Sequence, residues 1–217
     1  ALQLLAGHAQ TSFCSLLILA GFALVRAMQR ARRTSGESRS SASVLLATSS
    51  QTLRLVLPIA LAGLWALALA AIQLLPTAEF AAHSQRAGTL DDLTFAYELS
   101  FWPWRLITLL APDFFGNPAR GGYLGYGTYW EEAAYIGILP LILALLAIIT
   151  WWRRRKQRSD GPLALVPYLL FLSLVSLLLA LGRHTPLYPF LFRHVPGFGL
   201  FQAPARLIVG YALAVPL

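Results

Sequence analysis

Acidic and imidazole side chains, the groups that transfer protons or bind ligands, are unevenly distributed along this chain of 217 residues. Seven of its nine acids lie between residues 76 and 132, and three of its four histidines lie in 76–132 or 182–206. The segment 76–132 also holds 12 of the 26 aromatic residues. Since long apolar runs flank both segments, we expect the candidate site residues to lie where the chain leaves those runs.

The first candidate group lies in LLPTAEFAAHSQRAG, which follows an apolar run. If this stretch is helical and ends at Gly88, then Glu79, His83 and Arg86 are spaced i, i+4, i+7 and share one face. A carboxylate, an imidazole and a guanidinium on one face can serve a catalytic or anion-binding site. The alternative is an interfacial helix with a local salt bridge.

The second candidate is Asp113, in the turn that follows FWPWRLITLL. Phe101 to Leu110 is too short to cross a membrane, and Trp102 and Trp104 flank its proline, so we predict a helix that lies at the interface or re-enters. An aspartate after proline acts as a turn former or helix cap more often than as a catalyst, and both roles stay open here.

Glycines and aromatic residues alternate in ARGGYLGYGTYWEEAAYIG, immediately before the next apolar run. Glycines let the backbone approach a ligand and aromatic rings stack on sugars, so Tyr126, Tyr129 and Trp130 are candidate ligand contacts. Glu131 and Tyr135 are spaced i, i+4 at the mouth of a predicted span. An acid in that position is a functional candidate.

The stretch 182–206, between the last two apolar runs, carries several basic or imidazole groups and no acid. Membrane proteins concentrate basic residues in their cytoplasmic loops. Basic groups outside such loops favour an anionic ligand, and His194 and Arg206 are the candidates here. Arg206 directly precedes an apolar run and would lie at the depth of a lipid phosphate. Snorkelling of the arginine to the interface is the alternative.

Several familiar signatures are absent from the sequence. There is no Walker loop, no Gly-x-Ser-x-Gly and no His-Glu-x-x-His. The histidines are scattered, so no cofactor is indicated and a divalent metal stays an open alternative. The chain has one cysteine, Cys14, so it can form neither an intrachain disulfide nor a cysteine-based zinc cluster.

The elements that position these residues are predicted to be membrane helices. The chain is 57% hydrophobic and 12% charged, with mean hydropathy +0.62, whereas soluble domains carry about 25% charge. Apolar runs of about 20 residues predict an all-α, polytopic transmembrane helical bundle of about four full spans, with a partial span at each end. A soluble bundle needs a polar face on its helices, and 141–149 has none. The predicted full spans are 11–28, 55–75, 133–152 and 162–181, with another starting at 207–217.

The basic residues predict the orientation. The formal net charge is +8. Two basic loops carry +9 of it, namely 29–54 together with Arg26, and 153–161. The rest of the chain carries −1. Short basic loops stay cytoplasmic, which places 76–132 and 182–206 on the outer face, with interfacial helices in the long outer loop. The basic run WWRRRKQR lies at the end of a predicted span. We therefore expect this run to contact anionic membrane lipids and not nucleic acid.

Several stretches together resemble the bacterial YfhO-like family of large polytopic membrane proteins, which is grouped with the GT-C glycosyltransferases. They are LQLLAGHAQ, LLPTAEF, LLAPDFFGNP, YWEEAAYIGILPLILA and VPGFGLFQAPAR, spread over nearly the whole chain. The chain departs from the family pattern at Ala9, where proline is expected, and at Gln202, where arginine is expected. Because family members are much longer, we expect this chain to be an interior piece of a bacterial inner-membrane protein.

The resemblance implies a transferase that moves a sugar from a polyprenyl-phosphate donor to a cell-envelope acceptor on the outer face. Such enzymes place an essential acid in the first outer loop, which would lie upstream of Ala1. Otherwise Glu79 or Asp113 is the candidate base. Arg86 and Arg206, together with His83 or His194, would stabilise the departing phosphate. A non-catalytic assembly or lipid-binding protein is the first alternative, and a transporter of an envelope precursor the second. The sugar, the acceptor and the oligomeric state stay open.

The predicted orientation can be tested by cysteine labelling. In a background without other reactive cysteines, Glu79→Cys, Asp113→Cys and Arg206→Cys should react with a membrane-impermeant thiol reagent added from outside. Ser159→Cys, in the basic loop 153–161, is the matched control and should react only after the membrane is opened. Labelling of the first three only from the cytoplasmic side would contradict the orientation.

Overall fold

A computed structural model describes most of the chain, and every regular element within the described residues is helical. The chain divides into two compact units, 1–87 and 88–217. The described residues are 2–5, 9–35, 41–83, 93–125, 129–131, 133–154, 162–195, 198 and 203–217.

The first unit consists of three helices. They are α1 (Leu2–Leu5), α2 (Ala9–Ser35) and α3 (Ser41–Ala82). Within α2 and α3, Gln10–Gln29 and Ala60–Ala82 are long and apolar enough to cross a membrane. Apolar side chains of α3 point outward, and Trp65 is 69% and Ile72 82% exposed. Hydrocarbon solvates such a surface, whereas water does not.

The helices of the first unit are longer than the apolar runs that predict them. A loop is predicted for 29–54, yet α2 continues to Ser35 and α3 begins at Ser41. The predicted outer loop starts at residue 76, yet α3 includes Pro76 and ends at Ala82. The proline removes one intrahelical hydrogen bond, and the alanines that follow favour helix strongly enough for it to continue.

The second unit combines short and long helices. Its α-helices are α4 (Leu93–Ala96), α5 (Ile138–Arg154), α6 (Val166–Ala180), α7 (Leu187–His194) and α8 (Val209–Ala214). Its 3-10 helices are Pro103–Leu109, Pro118–Arg120, Pro162–Leu165, Gly182–His184 and Pro204–Ile208. The short helix predicted at Phe101 to Leu110 is therefore present, as a 3-10 helix of seven residues.

The structure contains three described helices that are long and apolar enough to cross a membrane, the third being Leu163–Ala180. The fourth predicted span, 133–152, is shorter than expected. Gly137 has φ +100°, and the helix begins only at Ile138. The 17 residues of α5 extend about 25 Å. Pro140, which the sequence places inside a span as a kink, lies in the first turn, where proline is tolerated.

The core of the second unit lies where four segments of the chain meet beside the end of α6. The backbone amide of Phe101 donates to the carbonyl of Ala180 (2.9 Å), and that of Ala205 donates to the carbonyl of Leu99 (3.2 Å). The first bond attaches the segment before the helix Pro103–Leu109 to the end of α6. The second attaches the start of the helix Pro204–Ile208 to that same segment. The buried core residues are Phe101, Ala134, Ala180, Ala205, Ile208 and Tyr211.

Backbone strain marks the same junction. Leu99 (φ 58°) and Ala203 (φ 66°) adopt the left-handed conformation, which costs a non-glycine residue about 1–3 kcal/mol. A Cβ atom on Gly182 would overlap the hydroxyl of Ser100 and the ring of Pro204. Glycine is therefore required where α6 ends, because two other segments pack directly onto that turn.

The packing of α8 on α6 depends on a second glycine. A Cβ atom on Gly210 would overlap the hydroxyl of Ser176 and approach Leu172. Both Gly210 and Ser176 are buried. Small residues at a helix contact let two backbones approach closely, which is how membrane helices associate without a hydrophobic driving force.

This contact predicts a position-dependent effect of one substitution. Gly210→Leu should separate α6 from α8 and lower the free energy of unfolding by about 1–3 kcal/mol through overpacking. Gly63→Leu on α3 is the matched control, because no heavy atom lies within 4 Å of a Cβ at Gly63. Unfolding in detergent, followed by circular dichroism, measures both variants. Equal stability of the two would contradict the close contact.

Candidate functional site

The second unit contains a cavity of about 240 Å³ next to the core at the end of α6. Its wall combines one guanidinium, several aromatic rings and small apolar residues. The lining residues are Arg105, Thr108, Pro112, Phe115, Gly116, Tyr123, Tyr129, Ala133, Ala134 and Tyr135. The cavity is adjacent to the core because Ala134 belongs to both.

Arg105 is the charged group of the cavity wall and is only 4% exposed. Its Nη2 donates a hydrogen bond of 2.6 Å to the hydroxyl of Tyr123. The guanidinium carbon lies 5.5 Å from the ring centroid of Tyr123 and 5.6 Å from that of Phe115. The hydroxyl of Thr108 donates to the Arg105 carbonyl (2.7 Å) and reinforces the 3-10 turn. Two aromatic faces therefore orient a charge that is removed from water.

Glycines allow the chain to fold over this arginine. Gly116 has φ +82°, and a Cβ atom there would overlap the backbone of Gly122. A Cβ atom on Gly125 would overlap the Tyr123 ring and the guanidinium of Arg105. The sequence suggests ligand approach for the glycines from residue 121 onward, whereas the described geometry uses Gly125 for the chain's own approach to itself.

Asp113, a predicted site residue, lies in the turn beside the cavity and is exposed. Its Oδ1 accepts hydrogen bonds from the Tyr129 hydroxyl (3.3 Å) and from Asn117 Nδ2 (3.2 Å). Asn117 Oδ1 accepts from the amide of Ala119 (3.0 Å) and thereby caps the next 3-10 helix. The turn-forming and the functional roles predicted for Asp113 are thus compatible, because Asn117 holds both the turn and the carboxylate.

Tyr129 connects the carboxylate to the cavity. Desolvation, followed by the charge and hydrogen bond of Asp113, raises the pKa of Tyr129, so the phenol stays a neutral donor. Its ring makes edge contacts with Tyr123 (centroids 5.6 Å apart) and with Trp130 (5.3 Å). Trp130 is 79% exposed. The structure therefore brings the predicted residues Asp113, Tyr129 and Trp130 together, while Tyr126 lies outside the described residues.

Two other predicted site residues form an ion pair with each other. Arg206 Nε donates to Glu131 Oε2 (2.7 Å), and Nη2 donates to Oε1 (2.5 Å). This hydrogen bond is the main reason that the pKa of Arg206 is raised above its ordinary value. The paired arrangement joins 129–131 to the last 3-10 helix, across 75 positions of sequence. The structure thus gives Arg206 a carboxylate partner where the sequence suggests a lipid phosphate.

Glu131 and Tyr135 lie at the predicted mouth of the fourth span, but its helix begins only at Ile138. Residues 133–137 are not helical, so these two side chains do not occupy one helical face. Tyr135 lines the cavity instead, and Glu131 faces Arg206.

Glu79 and His83 belong to the first unit and are exposed at the end of α3. The amide of His83 donates to the carbonyls of Glu79 (3.3 Å) and Phe80 (3.2 Å), so the helical backbone includes Glu79 and ends just before His83. Arg86 lies outside the described residues.

His194, the remaining predicted residue, ends α7 in the second unit. Its Nδ1 bonds the carbonyl of Phe190 (2.8 Å), and its ring stacks on that of Phe190 (centroids 4.5 Å apart). Both side chains are exposed. The role of His194 in this structure is local to its own helix.

The sequence analysis missed Arg105 and Tyr123. The signal for Arg105 was a single basic residue inside the apolar stretch WPWRLITLL, away from both basic loops. An arginine in such a position must be solvated by protein or by a ligand. Tyr123 carried no signal of its own, because its partner lies 18 positions away.

A second aromatic cluster lies at the end of α6. The Trp102 ring stacks on Trp104 (4.4 Å) and contacts His184 (4.5 Å), and the Arg183 guanidinium lies 5.9 Å from its centroid. The Nε2 of His184 is buried without a hydrogen-bond partner in the described part of the chain. Burial, followed by the charge of Arg183, lowers the pKa of His184. Aromatic groups at a helix end are typical of the membrane interface.

Within the described ranges, no three His, Cys, Asp or Glu side chains come together as metal ligands. The cavity offers a guanidinium and phenols, which suit an oxyanion better than a cation.

Comparison of the chain with protein-family models, curated proteins and solved structures finds no match in any of the three. The geometry of the site and the residues themselves therefore carry the functional argument.

The Glu131–Arg206 pair predicts a measurable coupling. Glu131→Gln and Arg206→Gln should each destabilise the protein, and the double-mutant cycle should give a coupling of about 1 kcal/mol. The coupling stays small because the two side chains are 21% and 38% exposed. Arg193→Gln, on an exposed arginine of α7, is the control and should change stability by less than about 0.5 kcal/mol. Additive effects in the cycle would contradict a stabilising pair.

Proposed function

We propose that this chain is part of an integral membrane glycosyltransferase-like protein, which transfers a sugar from a polyprenyl-phosphate donor to a cell-envelope acceptor. The observation that carries this proposal is Asp113, a carboxylate oriented by two donors beside a cavity with aromatic walls. The three apolar helices and the sequence resemblance to the YfhO-like family support it.

In this proposal α5 is a fourth span, and its short length is compensated by Trp151 and Trp152 at one end, which anchor it at the interface. The basic loops face the cytoplasm, and the cavity opens towards the outer face of a bacterial inner membrane. The lipid-linked donor then reaches the cavity from within the bilayer, and the acceptor arrives from outside.

The transfer step assigns one role to each group. The acceptor hydroxyl gives its proton to the Asp113 carboxylate while its oxygen attacks the anomeric carbon of the sugar. The bond from that carbon to the phosphate oxygen breaks, and the electron pair leaves with the phosphate. Tyr129 and Asn117 hold the carboxylate in position, and the exposed indole of Trp130 supplies a stacking surface for a sugar ring.

The second candidate is a non-catalytic protein that binds a lipid or assists assembly. One observation favours it: the two described acids near the cavity are already engaged, Glu131 by Arg206 and Asp113 by its two donors. A carboxylate in a two-point contact with arginine is a weak proton acceptor. The transporter alternative needs polar groups at mid-membrane, and the polar side chains of α6, Ser173 and Ser176, are buried by packing.

A transfer assay separates the two candidates. Full-length protein in membranes is given a labelled polyprenyl-phosphate sugar, and release of the label to acceptor is measured. Asp113→Asn should lower the rate by about 100-fold or more, because a general base contributes about 10²–10⁴. Asp160→Asn, in the basic loop, is the matched control and should leave the rate unchanged.

Three results would contradict the proposal in different ways. Full activity of Asp113→Asn removes this residue as the base. Loss of activity in Glu79→Gln, with Asp113→Asn active, moves the base to the first unit. Donor binding by the wild-type protein without any transfer favours the non-catalytic candidate.

A further inference from the structure

We propose that the exposed face of α7 is a contact surface for anionic phospholipid headgroups, at the membrane boundary where α6 ends. The surface consists of Phe190 and Arg193 on α7 and of Arg183 on the turn before it, and all three side chains are exposed. It shares no residue with the cavity or with the Glu131–Arg206 pair. The inference needs α6 to cross a membrane and does not depend on sugar transfer.

The first argument is the depth at which α7 lies. The apolar helix Leu163–Ala180 has 18 residues and extends about 27 Å, close to the thickness of a hydrocarbon core, about 30 Å. Residues directly after this helix therefore lie at the level of the headgroups. The hydroxyl of Thr185 donates to the carbonyl of Leu178 (2.9 Å), so the chain folds back onto the last turn of α6 before α7 begins at Leu187. This bond holds α7 at the membrane boundary.

A second marker of the boundary lies at the same helix end. The Trp102 ring stacks on Trp104, and Trp104 is 56% exposed. The guanidinium carbon of Arg183 lies 5.9 Å from the centroid of the Trp102 ring. Tryptophan collects at the interface between hydrocarbon and water, and arginine reaches from there towards the headgroups. The end of α6 is thus marked as interfacial by its surroundings as well as by its length.

The two faces of α7 differ in the way that an interfacial helix requires. Tyr188 is 2% exposed, and its ring packs against that of Tyr97 (centroids 6.2 Å apart). Phe190 lies on the other side of the helix and is 57% exposed, and Arg193 follows three positions later on that face. The ring of His194 stacks on the Phe190 ring and keeps it in place. An exposed aromatic ring with a cation beside it fits the boundary of acyl chains and headgroups.

The third argument is charge complementarity. The stretch 182–206 contains no acid, and among the described residues no carboxylate forms an ion pair with Arg183 or Arg193. Arg206 differs, because Glu131 neutralises it. Each arginine near an anionic lipid surface strengthens binding by about fivefold. Two exposed guanidinium groups therefore favour phosphatidylglycerol over the zwitterionic phosphatidylcholine.

The depth is tested on full-length protein in bilayers, with a spin label on Phe190→Cys in a background that lacks Cys14. Oxygen partitions into hydrocarbon and a nickel chelate into water, so an interfacial label should collide with both to a similar extent. Leu174→Cys, at a position of α6 that is 53% exposed, is the matched control inside the span and should favour oxygen strongly. Ser159→Cys, in the basic loop 153–161, should favour the nickel chelate.

The lipid preference is measured with a fluorophore on the same Phe190→Cys protein. Spin-labelled phosphatidylglycerol or phosphatidylcholine in the bilayer quenches the fluorophore, and the dependence on mole fraction gives a relative binding constant. Phosphatidylglycerol should bind at least about fivefold more tightly. Arg193→Gln should lower this ratio at least about twofold, Arg193→Lys should keep it, and Arg193→Gln combined with Arg183→Gln should bring it close to one. Arg120→Gln, on an exposed arginine of the helix Pro118–Arg120, is the control and should leave the ratio unchanged.

Four results would overturn the lipid surface. A label on Phe190→Cys that collides mainly with the nickel chelate places this face in water, and a label shielded from both reagents shows that protein covers it. Equal binding of the two lipids, or a ratio that is unchanged in the double arginine variant, removes the preference for anionic headgroups. Protein that shows the lipid preference but transfers no sugar refutes the proposed function and leaves this surface in place.

Discussion

The solvation of one charge organises the second unit. Arg105 lies inside an apolar segment, and a guanidinium that leaves water must be compensated by other groups. The loop 112–125 supplies them, because Phe115 and Tyr123 present their rings and Tyr123 presents its hydroxyl. The backbone can reach these positions only with glycine at 116 and 125. The cavity is the space that this enclosure leaves unfilled.

A second constraint fixes that enclosure to the membrane helices. Main-chain bonds attach Phe101 to Ala180, and Leu99 to Ala205, at the end of α6. The Glu131–Arg206 pair attaches the other side of the loop to the helix that leads into α8. Each contact joins segments that are distant in sequence. Side chains on irregular backbone are thereby held by helix ends, which gives a loop site the rigidity that catalysis or specific binding needs.

The sequence predicts local features well and long-range ones poorly. The apolar runs predict the three membrane-length helices, because hydropathy and helix formation depend on neighbouring residues. Some helix boundaries differ from the prediction: α3 continues past Pro76, and Gly137, with its positive φ, precedes the start of α5, so Glu131 and Tyr135 lie before that helix. The partners of Arg105 and Arg206 lie 18 and 75 positions away, so no local pattern contains them.

Tyr129 links the exposed carboxylate of Asp113 to the cavity. Its side chain lines the cavity, and its hydroxyl donates to Asp113, which is not among the described lining residues. Desolvation, followed by the charge and hydrogen bond of Asp113, raises the pKa of Tyr129 and so favours the protonated phenol further. The carboxylate proposed as the general base is therefore positioned by a phenol and lies outside the described lining that contains Arg105.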